Sequence, residues 1–90
     1  MTLTQMRYFY EVCKWSSITK AAASLHISQP TVSIAMADLE KESGLNLFRR
    51  EGKKLSLTED GSLLLSKITP ILANLQQLDR DIKDMAQNKN

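Results

Sequence analysis

One stretch of the sequence, residues 17–39, constrains the fold more than any other, because it predicts two short helices joined by a tight turn. Ser17 and Ser28 belong to the residue types that favour a helix N-cap, and each precedes a run with helical apolar spacing. His26 lies where the chain must turn, and histidine tolerates a positive φ better than most residues other than glycine. This arrangement is typical of a helix-turn-helix, which presents its second helix to a partner.

The predicted pair carries apolar residues where its two helices would meet each other and a supporting helix. These positions are filled by Ala21, Leu25, Ile27, Val32 and Ala35. Ala22 supplies a small residue that allows a close approach, whereas His26 departs from the glycine that usually occupies the turn. We therefore predict a helix-turn-helix over residues 18–39, with its second helix running from residue 29 to residue 43.

The segments on either side of this pair complete a small winged domain. Residues 3 to about 15 have the apolar spacing of an amphipathic helix. After Gly44, a natural helix stop, residues 45–57 predict a β-hairpin, the wing, with Gly52 at its turn. The predicted fold is therefore mainly α: a winged helix-turn-helix of three helices and a small β-hairpin, over residues 1–58.

The last helix is predicted from the most regular pattern in the chain. Thr58 is the expected N-cap of a helix over residues 59–86, which would be about 40 Å long at 1.5 Å per residue. Apolar residues recur along it with alternating spacings of four and three, and this heptad seam consists of Leu64, Ile68, Ile71, Leu75, Leu78, Ile82 and Met85. The seam can pack on the domain's own core, but the helix is longer than so small a domain is wide. We therefore expect a linker helix that dimerises with a second copy, with a kink at Pro70 and a frayed tail over residues 87–90.

The exposed face of the helix over residues 29–43 is uncharged at its tip, so it can enter the major groove of duplex DNA. Gln29 can pair with adenine N6 and N7, and the Ser33 hydroxyl can bond to either a donor or an acceptor. Ile34 and the methyl group of Thr31 suit the C5-methyl of thymine. The alternative is that Ile34 is simply an exposed apolar residue or part of a protein contact.

The net charge of +2 is unevenly distributed. Residues 1–57 carry eight Lys and Arg against five Asp and Glu, whereas residues 58–90 carry four against five. The local basic patch consists of Lys20, Arg49, Arg50, Lys53 and Lys54. It indicates a polyanion partner, with a solvated basic loop as the alternative. We predict that the wing cations bind DNA phosphates or a narrow minor groove.

Composition and motifs argue against several other classes of protein. No apolar run approaches the ~20 residues of a membrane span, and the charged, amphipathic N-terminus is unlike a signal peptide. The single cysteine, Cys13, falls on the apolar stripe of the first helix and fits a packed thiol in a reducing cytoplasm. The sequence has no paired His/Cys arrangement, phosphate-binding glycine loop or metal-ligand cluster, and Glu40 and Glu42 are interpreted as solvated. We therefore expect no enzyme activity, metal or cofactor, and a cytoplasmic, nucleoid-associated protein with no membrane partner.

From about Met6 to Gly61 the sequence resembles the N-terminal DNA-binding domain of LysR-type transcriptional regulators. The matching segments are Met6–Phe9, Ser17–Ala22, Leu25–Ser33, Leu39–Glu40, Gly44–Arg50 and Leu57–Gly61. A long helix follows, like the linker helix of that family. The sequence differs from the family pattern at Ile34-Ala35, where family members often carry Arg-Gln. This difference removes a possible arginine–guanine contact.

The resemblance implies a winged helix-turn-helix that binds DNA and dimerises through its linker helix. Together with the exposed face described above, it gives a set of expected DNA-binding residues: Thr19, Ser28, Gln29, Pro30, Thr31, Ser33, Ile34, Arg50, Lys53 and Lys54. In the family a domain that binds a small-molecule effector follows the linker. The chain stops at Asn90, so we expect it to be the DNA-binding part of a longer regulator, with the effector-binding domain absent.

Two functions of different classes remain open from the sequence. The first is sequence-specific binding of double-stranded promoter or operator DNA by a homodimer, with an inverted repeat as the target. The second is a protein–protein interaction module that uses the winged helix and the heptad seam without DNA. A binding affinity that is insensitive to salt and to DNA would favour the second.

Overall fold

The computed structural model describes residues 1–52 and 54–89. In these described residues, four helices and one hairpin follow each other: α1 (Leu3–Trp15), α2 (Ile18–Leu25), α3 (Gln29–Ser43), β1 (Phe48–Glu51), β2 (Lys54–Leu57) and α4 (Glu59–Gln87). The predicted winged helix-turn-helix followed by a long helix is thus confirmed. The molecule measures 57 × 25 × 20 Å.

Each helix begins at a side chain that caps it. The four N-cap hydroxyls accept a hydrogen bond from the amide three residues further on, at 3.0–3.3 Å, and belong to Thr2, Ser17, Ser28 and Thr58. These bonds satisfy amides that have no partner within the helix. The predicted bounds of α2 and α3 are confirmed, and α4 ends one residue later than predicted, at Gln87.

The turn between α2 and α3 has the left-handed conformation expected at its histidine. His26 has φ 58° and ψ 39°, and its amide donates to the carbonyl oxygen of Ala23 at 3.2 Å. The amide of Ile27 donates to the carbonyl oxygen of Ala22 at 3.0 Å. This double closure of the last turn ends α2 abruptly and directs the chain into α3.

The core lies where α1, α2, α3 and the first turns of α4 meet. Its buried residues are Phe9, Val12, Ala21, Ala22, Val32, Met36, Leu39, Leu47 and Ile68. The predicted helix-turn-helix contacts belong to this cluster, since the partly buried Leu25, Ile27 and Ala35 pack against it. Burying one large apolar side chain in this way contributes roughly 1.5–3 kcal/mol to folding.

The heptad seam on α4 is divided between two environments. Ile68 is only 1% exposed and belongs to the chain's own core, and the half-buried Leu64 packs against that core. The prediction that Ile68 serves dimerisation is therefore wrong, because its side chain is already covered within one chain. Beyond it, α4 continues through Pro70, and four seam residues are between 47% and 63% exposed: Ile71, Leu78, Ile82 and Met85. Leu75, between them, is half-buried.

The wing is shorter than the predicted range, because residues 45–47 form a loop that leads into β1. The two strands are antiparallel, with Phe48 opposite Leu57 and Arg50 opposite Leu55. The Phe48 ring packs on Phe9 of α1, with 5.4 Å between ring centroids. The first strand of the wing is thus attached to α1. Within the described residues, no helix combines the length and apolarity needed to span a membrane.

Candidate nucleic-acid interface

The start of α3 projects from the domain while its opposite face is buried. Gln29, Pro30 and Thr31 are exposed, and Ile34 is 61% exposed. Val32, between them, is completely buried. A helix fixed by its core face can present its first turn in a defined orientation, and free amides at a helix N-terminus favour an anionic partner.

The N-cap of α3 also binds the side chain of Thr31. The Ser28 hydroxyl accepts a hydrogen bond from the Thr31 amide at 3.3 Å and lies 2.6 Å from the Thr31 hydroxyl. The Thr31 hydroxyl therefore has a partner inside the domain. Its methyl group remains available for apolar contacts, as the sequence predicted for this position.

A cleft of about 330 Å³ lies between the start of α2, the start of α3 and the wing. It brings together four of the predicted DNA-binding residues, which line it: Thr19, Gln29, Arg50 and Lys54. Two of them are cations from the wing, and the other two are polar residues from the helix-turn-helix. The cleft can therefore receive an anionic chain between a basic wall and a polar wall.

A second cleft, of about 310 Å³, adjoins the first, since Ile18, Arg50 and Leu55 line both. It is lined by Ser33 and Glu40 of α3 and by Asn46 and Arg50 on the wing side. Arg50 lines both clefts and so occupies the junction of α3 and the wing. The register of the hairpin explains this position. Arg50 pairs with the half-buried Leu55, and paired residues have their side chains on the same face, here the inner face of the hairpin.

The other predicted residues are distributed as follows. Ser28, Pro30, Thr31 and Ile34 lie on the exposed first turns of α3, outside the lining of both clefts. The predicted contact residue Lys53 lies outside the described residues.

The interpretation of Glu40 as a solvated acid is wrong. Glu40 is half-buried, and its Oε2 accepts a hydrogen bond from the Leu47 amide at 2.8 Å. Glu42 also has a partner, since the Gln5 side-chain amide donates to it at 3.5 Å. No periodic pattern marks the Glu40 contact, because it joins a helix to the loop that follows it.

Cys13 is a packed thiol in α1. It packs against the core, and burial raises its pKa to about 12. At neutral pH the side chain is therefore protonated and a poor nucleophile. In the part of the chain that the structure describes, no three His, Cys, Asp or Glu residues converge to hold a metal ion.

Comparison with known proteins gives one consistent result. A family model described as bacterial regulatory helix-turn-helix protein, lysR family, matches residues 3–62. The chain is 42% identical over 84 residues to the probable RuBisCO transcriptional regulator of Porphyra purpurea, which covers 93% of the chain and 26% of that protein. It is 41% identical over 88 residues to the HTH-type transcriptional regulator CysB of Burkholderia cenocepacia, which covers 96% of the chain and 28% of that protein. The chain thus spans about a quarter of the length of these curated relatives.

The fold has an equally clear counterpart among solved structures. The crystal structure of the BenM_DBD/catB site 1 DNA complex superposes with a TM-score of 0.93 and 32% sequence identity. The similarity covers 100% of both chains, so it includes the long α4 as well as the winged helix.

Proposed function

The chain belongs to the lysR family of bacterial regulatory helix-turn-helix proteins, and from this premise we propose that it is the DNA-binding part of a transcription regulator. It binds double-stranded DNA with sequence preference. The observation that carries the proposal is the meeting of Gln29, Arg50 and Lys54 around one cleft beside the exposed tip of α3. The similarity to a chain solved in complex with DNA supports the same function.

In this proposal α3 enters the major groove with its first turns. Gln29 and Ser33 hydrogen-bond to base edges, and Ile34 contacts a thymine methyl group. Ser28, Pro30 and Thr31 line the same end of the helix and set its approach to the groove. Base edges carry the sequence information, so this region selects the site.

The wing and the start of α2 hold the DNA backbone. Arg50 and Lys54 bind phosphates or enter the adjacent minor groove, and the Thr19 hydroxyl binds a phosphate from the other side of the cleft. These contacts position the protein without reading bases. Lys53 belongs to the same predicted set.

The proposal includes a homodimer formed through α4. Ile71, Leu78, Ile82 and Met85 are exposed with heptad spacing, and such a stripe is stabilised by packing against a second helix. Leu75 completes the stripe, and Leu64 borders it. A symmetric dimer presents two copies of α3, which predicts an inverted-repeat operator.

The regulator acts in the cytoplasm, on the nucleoid. In the proposal this DNA-binding part uses no metal or cofactor and catalyses no reaction. A small-molecule effector acts through another domain of the longer protein.

Selection from a pool of random duplexes tests the proposal. The purified chain is incubated with the pool at moderate salt with competitor DNA, and bound duplexes are amplified and sequenced over several rounds. We expect an inverted repeat to be enriched and to bind at least about a thousandfold more tightly than unrelated DNA. A pool that stays random would overturn the proposal and favour a protein–protein interaction module, whose affinity would not depend on salt.

A further inference from the structure

Glu40 joins α3 to the wing. Its carboxylate accepts a hydrogen bond from the Leu47 amide at 2.8 Å, across the loop that separates the helix from β1. The side chain of Leu47 is completely buried, so its amide is held at the edge of the core. Without Glu40 this amide would lose its acceptor, and a buried donor without a partner is costly.

Leu47 is fixed from the opposite side as well. Its carbonyl oxygen accepts a hydrogen bond from the Thr58 amide at 3.0 Å, and the Thr58 hydroxyl donates to the carbonyl oxygen of Asn46. Gly61, in the first turn of α4, packs so closely on the Leu47 carbonyl that a Cβ there would collide with it. The base of the wing is thus clamped between α3 and α4, and Glu40 supplies the α3 side.

The clamp lies close in sequence and space to the cation at the centre of the interface. Arg50 is three residues beyond Leu47 along the wing, and Arg50 and Glu40 line the same cleft. We propose that Glu40 is a positioning residue for DNA binding, whose hydrogen bond to Leu47 holds the wing against α3 so that Arg50 reaches the DNA backbone. This inference rests on the proposed function and assigns a role to an acid inside an otherwise basic interface.

Two effects of Glu40 on DNA affinity have opposite signs. Its negative charge repels phosphates in the cleft, which weakens binding. Its hydrogen bond holds the wing in place, which strengthens binding. Glutamine keeps a side-chain oxygen that accepts from the Leu47 amide but removes the charge, whereas alanine removes both. The two substitutions therefore separate the effect of the hydrogen bond that positions the wing from the effect of the negative charge of Glu40.

The experiment measures affinity and its salt dependence for the whole chain on its selected duplex. We expect Glu40→Gln to bind as tightly as the parent chain or more tightly. Glu40→Ala should bind about tenfold or more weakly and lower the slope of log affinity against log salt by about one to two units. Glu42→Ala is the matched control, because it removes an acid from the same helix without touching the wing, and it should change affinity by less than about threefold.

A second pair of variants separates positioning from general loss of stability. In a chain that already carries Arg50→Ala and Lys54→Ala, adding Glu40→Ala should weaken binding by less than about twofold, because Arg50, through which Glu40 acts, is gone. Thermal unfolding of every variant verifies that the domain is folded at the temperature of the binding assay.

Three results would overturn the inference about Glu40. The first is that Glu40→Gln binds as weakly as Glu40→Ala, since equal weakness would make the charge the cause. The second is that Glu40→Ala keeps the salt slope of the parent chain. The third is that Glu40→Ala weakens binding equally in chains with and without Arg50 and Lys54. All three results require a parent chain that binds its selected duplex. A parent chain that selects no duplex would instead overturn the proposed function itself.

Discussion

The tip of α3 and the wing face the same cleft but differ in charge and in how they are held. The tip is uncharged and belongs to a helix whose other face, with Val32, Met36 and Leu39, is buried in the core. The wing is basic and more exposed, and its two strands pack against the core through Phe48, Leu55 and Leu57.

This difference matches two kinds of contact with DNA. Hydrogen bonds to base edges depend on orientation, so the groups that make them need a rigid support. Attraction to phosphates depends less on direction and repeats along every duplex. The chain places its uncharged groups on the rigid helix and its cations on the hairpin, which supports the proposal that α3 selects the site and the wing supplies general affinity.

The largest effect is expected from removing the anchor of the wing. Leu47→Ala should lower the free energy of unfolding by about 2–5 kcal/mol, because it leaves a cavity at a fully buried site. Leu45→Ala is the matched control two residues earlier, at a side chain that is 37% exposed, and should cost less than about 1 kcal/mol. Urea unfolding followed by circular dichroism measures both. Equal losses would show that the wing is not held by Leu47.

Removing the wing cations should weaken binding to every duplex by a similar factor. The double variant Arg50→Ala/Lys54→Ala loses about two phosphate contacts, so the salt slope should fall by about two units. Titrations at several salt concentrations, on the selected duplex and on an unrelated one, measure this change. Lys83→Ala removes a cation near the far end of α4 and should leave the slope unchanged. A large loss confined to the selected duplex would show that the wing reads bases, and the wing and α3 would then not differ in the way proposed.

Removing a polar group from α3 should change the preference between duplexes and not the salt dependence of binding. Gln29→Ala should reduce the preference for the selected duplex over unrelated DNA by about 1–3 kcal/mol and leave the salt slope intact. Gln76→Ala, at an exposed glutamine of α4, is the control and should affect neither quantity. If Gln29→Ala instead weakened both duplexes equally, α3 would contribute general affinity and not selection.

Local features of the fold could be predicted from the sequence, whereas contacts between distant residues could not. The bounds of α2 and α3 follow from Ser17, Ser28 and Gly44, because capping depends on a few adjacent residues. The exposed tip of α3 followed from helical periodicity in the same way.

The corrections at Ile68 and Glu40 both involve contacts that reach beyond a single helix. Ile68 has the same heptad spacing as the exposed Ile71 and Leu78, and only the packing of the first turns of α4 on the core separates them. Glu40 contacts the Leu47 amide across a loop, and the sequence marks neither the loop path nor a free amide at its end. The place of Arg50 between two clefts likewise depends on hairpin register and on how the wing packs.

The smallest effect is expected at Ile34, where the contact is apolar. Replacing the thymines of the selected duplex by uracil, one at a time, removes a single methyl group, and at one position it should cost the parent chain about 1 kcal/mol. Ile34→Ala should abolish the penalty at that position, because the side chain that meets the methyl group is gone. Competition binding with the four combinations of protein and duplex measures the coupling. A uracil penalty that persists in Ile34→Ala would assign the methyl contact to another residue, with the Thr31 methyl group as the neighbouring apolar candidate. In that case α3 would still select the site and the wing would still supply general affinity. The part of α3 that selects the site would lie closer to the N-cap than the exposure of Ile34 indicates.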